Sequence, residues 1–400
     1  MSSVGESRKE PAQTINNLGI LSLILSRGIT NLPSLVVSLL LVDIATSFDV
    51  QVGVAGQIRT TSGLLSILFA ILMGVLSMRY NYKSLLAWGL MLFIVSAVTS
   101  YLSTSLLMLL AFYALSGVAT SMVNPMINTL IGKLVPPGRR TTVMGWTVAG
   151  LALIYLAGSL SSGFISPWGW RTAMILVVVP MTIISLILFT SQVPNDKPEL
   201  KSRASIASLL EGYRALLRSR SAVGCILGTM LSLAMWNTLL IYAPSYWRQV
   251  FNVPTTTTAT LYVFTSLSYV VGSLLVGRFT KRMGVRRLLL YTTGALGVIT
   301  LFCYNAPSLL VGVVLGVVAS FFAGMLITLA SSFSLEQIPE YRGTMMSIHS
   351  AAQSLGATLA AAIGGFILIA YSYGVYSIVM GIIGIVGALI YMFMTTEPKR

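Results

Sequence analysis

Apolar segments of about 20 residues, the length that crosses a bilayer as a helix, recur along almost the whole chain of 400 residues. Twelve of them lie near residues 17–43, 55–77, 84–104, 106–131, 141–165, 171–191, 222–245, 257–277, 287–305, 308–333, 344–370 and 374–394. Hydrophobic residues make up 56% of the chain and charged residues only 9%. A soluble globular protein is excluded, because such proteins carry about 25% charged residues. The sequence therefore predicts an all-α membrane protein with twelve transmembrane helices.

A polar segment divides the apolar runs into two groups of six. It reads QVPNDKPELKSR at its start and continues with a short amphipathic stretch, which is typical of a linker with a surface helix. The first apolar run follows a polar start without a small-residue cleavage site, so we expect it to be retained as a helix. The predicted parts are a cytoplasmic N-terminal tail (1–16), an N-terminal six-helix bundle (17–191), a cytoplasmic linker (192–221), a C-terminal six-helix bundle (222–394) and a cytoplasmic tail (395–400).

The basic residues indicate how the chain is oriented. The chain has 25 Lys and Arg against 10 Asp and Glu, a balance that in a soluble chain would suggest a nucleic-acid partner. Here most of them fall in loops on the same side of the membrane as the termini, and such loops are kept in the cytoplasm. The pattern predicts a multi-pass protein of the cell membrane with both termini cytoplasmic, lipid headgroups near the linker and no nucleic-acid partner. The exceptions are Arg59, Arg171 and Arg248 on the outer side and Arg27 within a helix.

The two groups of helices carry matching residues. A shift of the first half by 203 positions superposes Gly74 on Gly277, Arg79 on Arg282, Lys83 on Arg286, Pro136 on Pro339, Arg139 on Arg342 and Thr141 on Thr344. Matches at one common offset indicate a duplicated six-helix unit. Two such repeats, related by a pseudo-twofold axis along the membrane normal, are how several secondary transporters build a central site that faces each side of the membrane in turn.

Residues for catalysis or metal binding are scarce. The chain has one His and two Cys, and Cys225 and Cys303 both lie inside apolar runs, so neither a multi-histidine metal site nor a disulfide framework is expected. The sequence also lacks paired carboxylates, a GxSxG turn and a phosphate-binding loop. We expect no enzyme activity, no cofactor and no metal. The expected partners of this monomer are a small-molecule substrate, coupled protons and membrane lipids.

Arg27 is the clearest polar residue within an apolar run. It lies about 15 Å deep at 1.5 Å per residue, where an ionisable group is costly and marks a functional site by default. Asn31 and Ser34 follow at i+4 and i+7 and share its face. The spacing predicts a stripe that lines a central cavity. The alternative is an Arg27 locked to a helix carbonyl or to a neighbouring side chain.

Three further helices offer polar or aromatic faces that we predict to line this cavity. The residues are Tyr113, Ser121 and Asn124 of the fourth helix, Trp236 and Asn237 of the seventh, and Tyr262 and Tyr269 of the eighth. Aromatic and amide side chains are the usual lining of small-molecule sites. Residues at helical spacing also serve plain helix packing or face lipid, and this alternative stays open.

Proton coupling needs a group that titrates as the cavity changes sides. Asp43, near the outer end of the first helix, is one candidate, and pairing with Arg59 is its alternative role. His349, near the cytoplasmic end of the eleventh helix, is the other candidate, because histidine changes charge near neutral pH. A structural role for this histidine is the alternative. Gln353 shares its face and is predicted to line the cavity.

Two loops at equivalent positions of the repeat carry a glycine followed by cations. They read GVLSMRYNYK from Gly74 and GRFTKRMGVRR from Gly277. This pattern resembles the GxxxDRxGRRK-like loops of the major facilitator superfamily, and the similarity extends over nearly the whole chain. The resemblance implies two six-helix bundles, close helix approach at each glycine, and a cytoplasmic gate formed by Gly74, Arg79, Lys83, Gly277, Arg282 and Arg286.

The acidic residue of the family's gate loop is missing from both copies, which have Met78 and Lys281 at its position. In the family this acid is thought to pair with basic residues of the gate. We hypothesise that Glu336 and Glu340, in the loop before the eleventh helix, replace it. The two glutamates would pair with Arg79 and Lys83 of the first gate loop, across the seam between the halves.

Other segments are similar to the drug:proton antiporter branch of this superfamily. WGWRTAM from Trp168 resembles the turn that enters the sixth helix, and DIATSFDVQVGVAGQ from Asp43 resembles the first outer loop. GSLSSG resembles the antiporter motif GPxxGG, with Ser159 where proline is expected, and Tyr113 stands where the family usually has an arginine. The resemblance implies export of a small organic compound in exchange for protons.

The charges inside the apolar runs favour a different substrate. An interior with one deep cation and no obvious deep anion suits a negatively charged or polar compound better than a cationic drug. Proton-coupled uptake of a small organic anion held by Arg27 is therefore the alternative to proton-coupled export. The substrate or His349 would then carry the proton.

Overall fold

The structure is a computed structural model that describes residues 15–195 and 206–397. Residues 1–14 of the predicted N-terminal tail, 196–205 of the linker and 398–400 of the C-terminal tail lie outside the described residues. Sixteen α-helices run through the described part: α1 (Asn17–Ile29), α2 (Leu32–Leu39), α3 (Leu41–Ser47), α4 (Val52–Arg79), α5 (Tyr82–Tyr101), α6 (Leu106–Leu134), α7 (Pro137–Ile165), α8 (Trp170–Ala173), α9 (Val179–Gln192), α10 (Ile206–Arg218), α11 (Arg220–Val250), α12 (Thr255–Met283), α13 (Val285–Cys303), α14 (Leu309–Gln337), α15 (Arg342–Ala370) and α16 (Tyr373–Met394).

Ten stretches of helix within the described residues are long and apolar enough to cross a bilayer. One combines α1 with α2, and another combines the short α8 with α9. α4 and α7 have 28 and 29 residues, so each is about 40 Å long and exceeds the ~30 Å hydrocarbon core. The fold is thus the all-helical one that the sequence predicts. The amphipathic α10 lies between the sixth and the seventh long unit, as the linker pattern indicated.

Helix starts repeat between the two halves with the offset of 203 found in the sequence. α6 and α14 each follow a serine, Ser105 or Ser308, whose side chain accepts a hydrogen bond from the backbone three residues on. α1 and α11 follow Asn16 and Ser219, which cap them in the same way. Such caps satisfy backbone N–H groups that a helix leaves unpaired at its start. The duplication is therefore preserved in local structure as well as in sequence.

Glycines let equivalent pairs of helices approach closely in both halves. In the first half α6 packs on α4 at Gly117, where an added Cβ would lie 1.8 Å from the carbonyl oxygen of Ser62. In the second half α14 packs on α12 at Gly324, where an added Cβ would lie 2.0 Å from the carbonyl oxygen of Tyr269. Small residues stabilise membrane helix pairs because they permit extensive van der Waals contact. The two halves thus use the same packing principle.

The first membrane-crossing unit is broken where the sequence predicts one continuous helix. α1 ends at Ile29, α2 begins at Leu32, and Leu40 separates α2 from α3. Pro33 explains the first break, because proline has no N–H to donate and clashes with the preceding turn. The equivalent unit of the second half, α11, runs unbroken over 31 residues. Arginines from α4 and α11 hydrogen-bond to backbone carbonyls of α2 beyond this break.

The hydrogen bonds between helix ends define two ends of the bundle. At the basic end, Asn16 before α1 contacts Gln192 of α9, and Ser221 of α11 contacts Gln337 of α14. At the opposite end, Trp170 of α8 donates to the hydroxyl of Ser47, the last residue of α3, at 2.9 Å.

The halves are in close contact from the middle of the fold to the opposite end. α4 packs on α15 at Gly53, where an added Cβ would lie 2.5 Å from the carbonyl oxygen of Gly365. α7 packs on α12, and the hydroxyl of Ser159 donates to the carbonyl oxygen of Ala259 at 2.8 Å. These contacts leave no room for a side chain at Gly53. The protein is therefore in a conformation closed at the opposite end.

Candidate functional site

A central cavity of about 200 Å³ lies between the two halves. Its walls come from the start of α2 and from α7 in the first half, and from α11, α12 and α14 in the second. The contact of Ser159 with Ala259 lies nearer the opposite end than the cavity, since Ala259 precedes the lining residues of α12. Five residues of the sequence-predicted site line this cavity: Asn31, Trp236, Asn237, Tyr262 and Tyr269.

Aromatic side chains form one wall of the central cavity. Trp236 and Tyr269 stack with ring centroids 6.0 Å apart and an angle of 17° between the ring planes. The hydroxyl of Tyr262 donates to the carbonyl oxygen of Leu240 at 3.1 Å, which fixes this ring between α12 and α11. Rings held in this way offer a flat apolar surface to a planar or unsaturated part of a ligand.

Three polar or aromatic residues that were not predicted from the sequence also line the central cavity, namely Tyr155, Thr265 and Ser266. Ser320 of the tenth predicted helix, whose small-residue spacing favours cavity lining and helix packing equally, lines it as well. Thr265 and Ser266 follow Tyr262 at i+3 and i+4, so helical spacing could have indicated both. Tyr155 stands alone among apolar residues of α7, and the sequence offered no pattern that singles it out.

Arg27 and Asn124, both predicted site residues, are brought together in the first half. The Nη1 nitrogen of Arg27 donates to Oδ1 of Asn124 on α6 at 3.0 Å. Asn124 is neutral, and Arg27 forms no ion pair with a carboxylate in the described part of the chain. A positive charge in the middle of a membrane protein thus remains without a counter-charge. This arrangement attracts an anion, because charges interact strongly where water is excluded.

Arg59, predicted on the outer side at the start of the second helix, lies two turns into α4 and contacts α2. It is the eighth residue of α4, and its Nη1 nitrogen donates to the carbonyl oxygen of Ser34 at 3.0 Å and to Oγ of Ser38 at 3.2 Å. The pairing with Asp43 considered above is therefore wrong. Asp43 is held by another arginine, and α2 offers oxygen acceptors to Arg59 instead.

Arg27 and Asn124 are not in the wall of the central cavity, and their contact is the one with a neighbouring side chain that was the alternative for Arg27. The other predicted residues of the first half, apart from Asn31, also lie outside this wall. The hydroxyls of Tyr113 and Ser34 are 3.5 Å apart, so these two predicted residues meet between α6 and α2. Ser121 is buried on α6, and its hydroxyl donates to the carbonyl oxygen of Val118 in the same helix at 2.7 Å. The hydroxyl proton of Ser121 is therefore used within its own helix.

An ion pair joins the halves at the opposite end. The guanidinium of Arg248 on α11 contacts the carboxylate of Asp43 on α3 through two nitrogens, at 2.5 Å and 2.8 Å. The same guanidinium donates to the carbonyl oxygen of Leu39 at 3.4 Å. Two-pronged contacts between arginine and carboxylate are strong and geometrically specific. Arg248 therefore takes the place beside Asp43 that the sequence left open for Arg59.

Removing this ion pair is expected to open the opposite end more often. The side chains of Arg248 and Asp43 are 13% and 34% exposed, and a pair this accessible contributes about 1 kcal/mol, which corresponds to about a fivefold change in population. Asp43→Asn should shift the distance between spin labels at Thr104→Cys and Pro307→Cys, two exposed positions related by the repeat. The native cysteines would be replaced by serine for this measurement.

The charge-reversed double variant, Asp43→Arg with Arg248→Asp, is the matched control for this experiment. It should restore the distance distribution of the unaltered protein, because the pair is re-formed with its charges exchanged. An Asp43→Asn variant with an unaltered distribution would show that the ion pair does not hold this end closed.

His349 lies outside the central cavity, inside the second half. Its Nδ1 is 2.8 Å from the hydroxyl of Ser334, and its Nε2 is 3.3 Å from the hydroxyl of Ser331 and 3.1 Å from Nε2 of Gln353. The residue is only 1% exposed. Gln353, one helical turn from His349, contacts this ring. The prediction that Gln353 lines the cavity is therefore wrong for this conformation. Both residues thus form a buried polar cluster with α14.

Two cations of the gate loops hold helix ends within their own halves. Nζ of Lys83 donates to the carbonyl oxygen of Thr190 near the end of α9 at 2.8 Å. Nη2 of Arg286 donates to the carbonyl oxygen of Met392 near the end of α16 at 2.6 Å. Cations near a helix C-terminus satisfy its last carbonyls and interact favourably with its dipole. These repeat-related residues therefore tie α5 to α9 and α13 to α16 in this conformation.

The other charged residues of the predicted gate are exposed at the basic end. Arg79 is the last residue of α4, and Arg282 is the last but one of α12. Both are exposed, as are Glu336 and Glu340. In the part of the chain that the structure describes, neither glutamate forms an ion pair with Arg79. The pairing across the seam is not made here and stays a hypothesis for a conformation closed at the basic end.

The glycines of the two gate loops lie inside helices, Gly74 in α4 and Gly277 in α12. A Cβ atom added to Gly277 would meet no described atom within 4 Å. The expectation of close helix approach at this glycine is therefore wrong for this conformation, because α12 faces open space there.

The fold and the central cavity together define a class of protein. Two repeated six-helix halves enclose a polar and aromatic cavity that is closed at one end, which is the architecture of a membrane transport protein. A model of the family described as Major Facilitator Superfamily matches residues 18–303 and 225–400. The chain belongs to the major facilitator superfamily. Among the described residues, no group of three His, Cys, Asp or Glu is placed to hold a metal ion.

Known proteins agree with this assignment. The chain is 26% identical over 322 residues to the uncharacterized MFS-type transporter YceJ of Bacillus subtilis, covering 80% of this chain and 81% of that one. It is 24% identical over 293 residues to the cis,cis-muconate transport protein of Acinetobacter baylyi, covering 68% and 69%. The crystal structure of a D-xylose-proton symporter superposes with a TM-score of 0.78 at 17% identity, covering 95% of this chain and 98% of that one. These relatives and this fold are those of transporters, not enzymes.

Proposed function

We propose that this transporter moves a small organic anion across the membrane by alternating access. The observation that carries the proposal is Arg27, a membrane-embedded guanidinium whose partner is the neutral Asn124. A cation without a counter-charge favours an anionic ligand and repels a cationic one. The rings of Trp236 and Tyr269 offer a surface for the apolar body of that anion. One relative is named for the transport of muconate, an unsaturated carboxylate of this class.

The direction in which the basic end faces follows from its charges. Loops rich in Lys and Arg are retained in the cytoplasm, so we place the basic end and both termini there, in the cell membrane. The conformation described is then closed towards the outside by the Asp43–Arg248 pair. In the transport cycle the bundles 17–191 and 222–394 would rock against each other about the central cavity.

Export of a small organic compound in exchange for protons is the second candidate. The segment that resembles the antiporter motif lies at the seam between the halves, where Ser159 of α7 donates to the carbonyl oxygen of Ala259 of α12. A motif at this seam is well placed to affect the rocking movement. Asp43, paired across the halves, and His349, in its buried cluster, remain the candidates for the coupling proton.

Permanently charged probes test the sign of the substrate charge. The two probes, benzenesulfonate and benzyltrimethylammonium, share a ring and carry opposite charges at any pH. Reconstituted protein is expected to exchange benzenesulfonate and not benzyltrimethylammonium, because the charge of Arg27 attracts the anion and repels the cation. The measurement is counterflow into proteoliposomes, with protein-free liposomes as the control. Exchange of the cation alone would contradict the anion proposal and favour the second candidate.

Imposed pH gradients then separate the two directions of coupling. An antiporter runs faster when the proton gradient opposes substrate flux, and a symporter runs faster when the two are aligned. Flux of the accepted probe would be measured with gradients of either sign. Flux that is independent of both gradients would exclude proton coupling.

A further inference from the structure

Arg59 is a second guanidinium of the first half that has no carboxylate partner. Its Nη1 nitrogen donates to Ser34 and Ser38. Within residues 15–195 and 206–397, its Nη2 and Nε nitrogens donate to no protein atom, and neither is fully buried. The side of a guanidinium formed by Nε and Nη2 is the edge that grips a carboxylate with two parallel hydrogen bonds. This edge of Arg59 is therefore available to an oxyanion.

The surroundings of Arg59 place it beside the central cavity, towards the closed end. It donates to the carbonyl oxygen of Ser34, which follows the cavity-lining Asn31 by about one helical turn. The hydroxyl of Tyr113 lies 3.5 Å from that of Ser34. Phenol hydroxyls supply further donors to a bound anion. Arg59 is not itself in the wall of the central cavity, and its contact with α2 lies about one turn from that wall.

Arg27 and Arg59 occupy different depths along the first unit. Arg59 contacts Ser34, which follows Arg27 by seven residues, a separation of about 10 Å at 1.5 Å per residue. Asn31 lies between these levels and lines the cavity. The nearest carboxylate along this unit, Asp43, is already paired with Arg248. A ligand with one acidic group would leave one of the two guanidinium groups without a counter-charge.

We propose that Arg59 is the second anion-binding position of this transporter, and that its substrate is a linear compound with an acidic group at each end. The inference rests on the proposed function and adds that the substrate carries two acidic groups. Arg27 binds one acidic group, Arg59 binds the other through its Nε–Nη2 edge, and the aromatic wall packs against the chain between them.

Adipate and hexanoate test this proposal because they differ by one carboxylate on the same six-carbon chain. Ligand-induced shifts of the melting temperature in detergent give the affinity of each compound without regard to transport direction. Adipate is expected to bind about 10-fold or more tightly than hexanoate, since one hydrogen bond to a charged group changes the affinity by about this factor. Arg59→Gln should abolish this preference, and Arg59→Lys should keep part of it. Arg171→Gln, which removes an arginine on the outer side, is the matched control and should keep it fully.

The outcomes distinguish this inference from the function on which it rests. Binding of neither adipate, hexanoate nor benzenesulfonate to the unaltered protein would contradict the anion proposal itself. Equal affinity for adipate and hexanoate, or an equal loss of both in Arg59→Gln, would overturn the second binding position and leave the anion proposal standing. An Arg59→Gln protein that melts like the unaltered one and still binds hexanoate shows that the variant is folded.

Discussion

Replacing Arg27 with glutamine is expected to lower anion transport by about 100-fold, since hydrogen bonds to a charged group contribute about 1.5–3 kcal/mol. The melting temperature should stay the same or rise, because the substitution removes a desolvated charge that has no carboxylate partner in the described structure. Glutamine keeps an N–H donor for Asn124. Counterflow of benzenesulfonate and thermal unfolding of the same preparation measure the two effects.

The control for this prediction is Arg278→Gln, which removes an arginine from the exposed surface of α12. It should change neither the transport rate nor the melting temperature. It therefore shows whether the loss of any one positive charge is enough to cause the effect. Arg27→Lys should recover part of the transport, because it restores the charge without the planar fork. Normal counterflow in Arg27→Gln would refute a role in substrate binding. A fall in melting temperature that accounts for the lost transport would assign Arg27 to stability instead.

Gly53→Leu is expected to abolish transport while substrate binding persists. An added Cβ at this position would lie 2.5 Å from the carbonyl oxygen of Gly365, and backbone atoms on both sides cannot move aside as a flexible side chain would. The halves could then no longer close at the opposite end, so the cycle would stop with that end open. Spin labels at Thr104→Cys and Pro307→Cys should report one long distance that does not respond to ligand.

Gly132→Leu is the matched control, because an added Cβ at Gly132 of α6 would meet nothing within 4 Å. It places the same side chain on a membrane helix without obstructing the seam between the halves. Transport and label distances should match those of the unaltered protein. If Gly53→Leu gave the short distance and normal counterflow, contact between α4 and α15 would not be needed for closure.

The sequence was informative about features that depend on local chemistry. Each membrane-crossing helix needs its own apolar run, because no partner elsewhere in the chain can satisfy its backbone in lipid. The duplication was visible for the same reason, since helix starts depend on caps such as Ser105 and Ser308. The aromatic residues Trp236 and Tyr269 were selected from their positions in apolar helices, and they line the cavity together.

The partners of charged residues were not predictable, because they depend on how distant helices pack. Asp43 and Arg248 are 205 positions apart, and no spacing in the sequence links them. The place of Arg59 depends on the packing of α4 beside α2, where Ser34 supplies a carbonyl oxygen and Ser38 a hydroxyl oxygen. Gln353 shares a helical face with His349, but the serines of α14 turn that face away from the cavity.

The broken first unit and the continuous α11 show that the two copies of the repeated unit have diverged in structure. In the proposed site one copy supplies the guanidinium groups, and the other supplies most of the rings. Selection could therefore alter ionic preference through one copy and tolerance of molecular shape through the other, almost independently. New specificities would be accessible to such a duplicated carrier through few substitutions, without rebuilding the pocket as a whole.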